Sequence, residues 1–147
     1  MSRLALPARQ LGMGRNANPA RSWLTAAVLS HLVISIVHGA AHAEALVPLS
    51  RAANLFVFSV ILAGPLVGLA LTWRAERIGS WLIAITLAGS LVFGLANHFV
   101  IAGPDHVAHI ARQWRPLFTA TAVLLALTEL LGSGLAIRLA REKEKVS

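Results

Sequence analysis

Residues 22–47 read SWLTAAVLSHLVISIVHGAAHAEALV, and no Asp, Glu, Lys or Arg occurs between Arg21 and Glu44. At a rise of about 1.5 Å per residue, a helix over this stretch crosses the roughly 30 Å hydrocarbon core of a bilayer. Within it His31, Ser35, His38 and His42 follow at offsets of four, three and four residues, which on a helix is one continuous stripe. Lipid cannot satisfy imidazole nitrogens, so this face must turn toward other protein. The rest of the chain has to supply it.

Three further apolar runs do so. Spans are predicted at 52–73, 80–102 and 116–137, joining the first at 22–47. Gly64 and Gly68 form a small-xxx-small spacing that lets helices approach closely, and Gly103-Pro104 stops the third span. The composition, 56% apolar and 13% charged, is not that of a soluble domain. The expected fold is all-α: an integral membrane antiparallel four-helix bundle over 22–137, with a basic tail over 1–21 and a charged tail over 138–147.

Ten of the 13 Lys and Arg residues lie in the two tails and the 74–77 loop; only Arg51, Arg112 and Arg115 lie on the other side. The positive-inside rule therefore places both termini in the cytoplasm, with a bacterial inner membrane as the expected location. An Arg-rich start, an apolar run and Ala41-His42-Ala43 also outline a cleavable signal peptide over 1–43. The apolar run exceeds a typical signal core, so a retained first span is expected.

The net charge of +7 does not point to nucleic acid, because the cations sit at the ends of apolar segments rather than among aromatics on a patch. The expected partner is the lipid bilayer, whose anionic headgroups such cations meet. With no cysteine there is no disulfide and no thiolate site; Met1 and Met13 lie outside the spans and offer no soft-sulfur path for Cu(I).

In an antiparallel bundle the first and third spans run the same way. His42 and His98 each lie about five residues inside the outer end of their span, so they share a depth, with His38 one turn deeper. Glu44, Asp105, His106 and His109 lie at or just outside that boundary. His38-x-x-x-His42 stacks two imidazoles on one helix face, and His106-x-x-His109 does the same if its segment is helical. The candidate ligands are His38, His42, His98, His106 and His109, with Glu44, Asp105 and Asn97 as supporting groups or alternative ligands. Imidazole with carboxylate suits a transition-metal ion such as Zn, Fe or Cu, and imidazoles alone suit haem b. The competing interpretation makes these histidines interhelical hydrogen-bonding groups with no ligand.

His31 and Glu129 lie at equal depth near mid-membrane, each about nine residues in from the cytoplasmic side. They form an intramembrane polar pair, either a proton relay or a register-fixing contact. The histidine spacings resemble fragments of the histidine boxes of membrane di-iron desaturases and hydroxylases. The set Ser35, His38, His42, Asp105 and His109 resembles that of zinc-dependent seven-helix membrane hydrolases. With no adjacent histidine pair and four spans rather than seven, the chain is assigned to neither. No nucleophile elbow or phosphate-binding glycine loop occurs.

Three functions follow as expectations. The first is a metal- or haem-binding membrane protein with redox or metal-dependent chemistry, whether or not it is an enzyme. The second is an accessory subunit of a larger complex or a homo-oligomer, docking through Gly64/Gly68 and Gly132/Gly134. The third is a proton-coupled transporter that uses His31 and Glu129.

Overall fold

The computed structural model describes residues 19–144, with side chains to 142. Residues 1–18 of the expected basic tail and 145–147 of the expected C-terminal tail lie outside the described residues. Those described are all-helical apart from their connections: α1 (Pro19–Glu44), α2 (Arg51–Leu71), α3 (Glu76–Val100) and α4 (Arg115–Glu144). All four helices are long and apolar enough to cross a membrane.

Local chemistry sets the ends. α1 starts at Pro19, whose fixed φ suits a first helical turn. It closes three residues before the predicted end. There Leu46 adopts a left-handed φ of 55°, and the Val47 N–H reaches back to the His42 carbonyl at 3.1 Å. A side chain in that conformation costs about 1 kcal/mol, and Leu46 is exposed. Leu46→Gly is therefore expected to raise stability by about that amount in a detergent unfolding titration; a loss of stability would refute the strain. At the other end, α4 runs past the predicted 137, where Leu139 packs in the core and Arg138 and Glu142 pair one turn apart at 2.9 Å.

α1 packs on α4, α4 on α3 and α3 on α2, while α1 and α2 touch little. One buried cluster joins Leu24 and Val28 of α1 to Ile83 and Leu87 of α3 and to Ala136 and Leu139 of α4. A second joins Ala41 of α1, Ile110 of the connecting segment and Phe118 of α4. On α2, the large apolar side chains of Leu55 and Phe58 are exposed.

The small-residue stripe of α2 is occupied inside the chain. A Cβ at Gly64 would fall 2.5 Å from Thr86 Cγ2, and one at Gly68 would fall 2.6 Å from Ile83 Cγ1, so α2 and α3 meet closely there. Gly132 does the same against Leu87 at 2.6 Å, whereas Gly134 has open space beside it. Two helices contain widened π-type turns, at Val57–Ala63 in α2 and Ala96–Val100 in α3. The first precedes Pro65, which has no N–H to offer the Ile61 carbonyl four residues back.

Candidate metal centre

Three imidazoles meet at the end of the helices where α1 stops. His38 and His42 come from successive turns of α1, and His98 from the widened last turn of α3. Ring centroids lie 4.9 Å apart for His38–His42 and for His38–His98, and 5.7 Å apart for His42–His98. The fully buried Phe118 of α4 packs on all three rings, with centroids at 4.7, 4.7 and 5.2 Å. Each histidine is buried to 9% exposure or less.

Five of the six ring nitrogens have a polar neighbour. The Thr121 hydroxyl lies 2.8 Å from His38 Nδ1 and also within reach of the Leu117 (2.8 Å) and Phe118 (3.0 Å) carbonyls, so its single rotatable proton can serve any of the three. His98 Nδ1 donates to the Asp105 carbonyl at 3.1 Å, which leaves its Nε2 as an acceptor. The Nε2 atoms of His38 and His98 face each other at 3.2 Å, within hydrogen-bond distance. His42 Nε2 lies 3.1 Å from Asp105 Oδ1, a contact that favours hydrogen there; its Nδ1 is buried with no partner.

A proton on His38 Nε2 makes the contact with His98 a hydrogen bond, and an ion that displaces it makes both nitrogens ligands. One nitrogen from each ring lies within 4.8 Å of one from each of the others. Metal–nitrogen bonds of roughly 2.0–2.1 Å at tetrahedral angles place neighbouring donors about 3.3 Å apart, which matches His38 and His98. The remaining nitrogens lie beside the Thr121 hydroxyl, the Asp105 carbonyl and the Asp105 carboxylate. Metal-ligating imidazoles are oriented in this way.

Asp105 sits in the segment between α3 and α4, with Oδ1 also 3.2 Å from His98 Nδ1 and off the line of both N–H bonds. Burial works to raise its carboxyl, yet the N–H groups of His42 and His98 beside it hold it below the usual carboxylate range. A depressed carboxyl stabilises the fold above its unfolded value, and that contribution is lost as pH falls from about 5 downward. Asp105→Asn is expected to flatten the acid limb of a thermal-stability profile; an unchanged limb would remove the carboxylate from this role.

The segment folds back over the site. The Val107 N–H bonds the His98 carbonyl at 3.0 Å, and Arg115 Nη2 holds the carbonyls of Ala108 and Ile110 at 3.0 Å. Other candidate residues lie apart from the trio. His106 Nδ1 accepts from the Ala108 N–H at 3.1 Å, and the exposed His109 donates from Nδ1 to the Gly103 carbonyl at 2.6 Å. Their rings lie 5.5 Å from each other, but neither joins the group of mutually close donors. Glu44 is exposed, and Asn97 donates to the Phe93 carbonyl of its own helix at 2.8 Å.

A cavity of about 100 Å³ leads inward from the trio between the helices, past Ile61 and Leu125, to Ser90 and Glu129. At its inner end Ser90 donates to Glu129 Oε1, and His31 Nδ1 lies 3.7 Å from the same oxygen. His31 Nε2 donates to the Ile61 carbonyl at 3.1 Å, the group Pro65 cannot serve.

Sequence reasoning placed His31 with Glu129 and His42 with His98, but it missed Phe118, Thr121 and the Asp105 carbonyl. A signal existed for two of them. Phe118, Thr121, Leu125 and Glu129 follow at offsets of three, four and four, one face of α4. No protein-family model matches the chain, and no curated protein or solved structure matches it.

Proposed function

We propose that this chain is an antiparallel four-helix membrane protein that binds one transition-metal ion through His38, His42 and His98. The bundle reading is supported by two buried clusters. One gathers the starts of α1 and α3 with the end of α4, and the other the end of α1 with the start of α4. The histidine trio then lies opposite the termini, on the outer side by the positive-inside rule.

The observation that carries the metal reading is the convergence of three imidazoles from two helices, each offering one nitrogen, all within 4.8 Å of one another. Nitrogen donors beside a carboxylate, with no sulfur, favour Zn(II), with Fe(II) and Cu(II) next. Three imidazoles leave a further coordination position, as catalytic rather than structural sites do. When bound, the ion supplies Lewis-acid chemistry at the head of the cavity. Phe118 excludes water from one side of the rings, while Thr121 and Asp105 fix their orientation.

An ion fits better than haem. Two axial imidazoles across an iron need about 4 Å between nitrogens, twice a bond of roughly 2.0 Å. A cavity of about 100 Å³ is also far below the roughly 300 Å³ at which cofactor pockets begin. Dialysis of the purified protein against Zn²⁺, followed by metal analysis, is expected to find one ion per chain and no haem absorption. Thr121→Val is expected to weaken that affinity about 10–100-fold, the usual cost of losing an orienting partner. Wild-type protein retaining well below one ion per chain would overturn the reading.

A further inference from the structure

The metal site leaves one buried group unused. His31, Ser90 and Glu129 are 1%, 1% and 3% exposed, and Ser90 and Glu129 line the inner end of the same cavity. A backbone carbonyl only accepts, so the contact with Ile61 places the His31 hydrogen on Nε2. The opposite nitrogen, Nδ1, is buried without a hydrogen-bond partner and looks toward Glu129 Oε1 at 3.7 Å. A carboxylate and a bare imidazole nitrogen repel each other. A single proton on either one turns the contact into attraction. The pair therefore holds one proton between its two members.

We infer that the His31–Glu129 pair is a proton-binding site, and that loading a divalent ion on the histidine trio drives its proton off. This rests on the metal reading above. Among the described residues, the titratable groups lining the cavity are His38 and His42 of α1, His98 of α3, Glu129 of α4 and Asp105 of the connecting segment. His31 adjoins the cavity through Glu129, and α2 contributes no titratable group to it.

A bound dication brings two positive charges, of which the Asp105 carboxylate cancels one. The remaining positive charge sits in a low-dielectric interior, where it is costly. Loss of the proton from the pair supplies the second negative charge and makes the interior neutral. One dication enters from water and one proton leaves to water, with no redox change. A cavity of about 100 Å³ lined at one end by the trio and at the other by Glu129 has room for several waters between them. Metal uptake is thereby coupled to the exchange of one proton.

The test titrates Zn²⁺ into full-length protein in weakly buffered detergent solution near pH 6 and counts protons released per ion bound. Glu129→Gln keeps the shape and a hydrogen-bonding group beside Ser90 but cannot ionise. Wild type is expected to release one proton more per ion than Glu129→Gln. Its zinc affinity is expected to fall tenfold more per unit of acidification, as linkage of one proton requires. Equal release and equal pH slopes would overturn the proton inference and leave the metal site standing. A wild type that binds no zinc would remove both. If the glutamine variant fails to fold, an infrared difference spectrum of wild type serves instead. Zinc must remove either a protonated-carboxyl band or an imidazolium band, and a spectrum showing neither loss overturns the inference.

Discussion

His38→Ala is expected to abolish stoichiometric metal retention while leaving the helices intact. His38 is the middle ring of the trio, 4.9 Å by centroid from both His42 and His98. Removing it deletes one of the two nitrogens that face each other at 3.2 Å. The affinity loss should exceed the roughly 10–100-fold assigned to an orienting partner such as Thr121, because a donor itself is gone. Stability without metal is a different matter. Truncation leaves a gap against Phe118, frees Thr121 and removes the hydrogen bond to His98. These losses add, so the metal-free variant should unfold more readily than metal-free wild type, by about 1–3 kcal/mol. Metal analysis paired with circular dichroism checks both halves. A folded His38→Ala protein that holds zinc as tightly as wild type would remove His38 as a ligand.

The largest stability effect is expected at Gly79. A Cβ there would meet Thr72 N at 2.5 Å, Gly68 O at 2.6 Å and Leu71 C at 2.9 Å. All three are backbone atoms at the corner between α2 and α3, and none can rotate aside. Gly79→Ala should therefore cost about 3 kcal/mol, at the upper end of overpacking penalties. Gly134→Ala is the control. Nothing lies within 4 Å of a Cβ at Gly134, and alanine is the better helix former by roughly 1 kcal/mol. Unfolding both variants in a denaturing-detergent titration should separate them by several kcal/mol. Equal stabilities would mean that α2 and α3 do not approach as closely as described.

Much of this arrangement was legible in the chain because it depends on periodicity and depth. The stripe from His31 to His42 and the matched depths of His42 with His98, and of His31 with Glu129, need only helical geometry and counting. Depth does not report hydrogen-bond partners. That the Asp105 main-chain carbonyl would set the proton on His98 depends on how the 101–114 segment folds back, and backbone groups carry no sequence signature. The same segment limits the His106-x-x-His109 spacing. It is a run of turns rather than a helix, and His109 turns to the Gly103 carbonyl. Gly64 and Gly68 signalled a close helix contact correctly, but the pattern does not say whose helix. Here it is α3 of the same chain.

X-ray absorption on zinc-loaded protein most directly tests whether three imidazoles share one ion. Three nitrogen donors at roughly 2.0–2.1 Å with imidazole outer-shell scattering are expected, falling to two in His98→Ala. A first shell of oxygen donors alone, or a spectrum identical in wild type and His98→Ala, would contradict it.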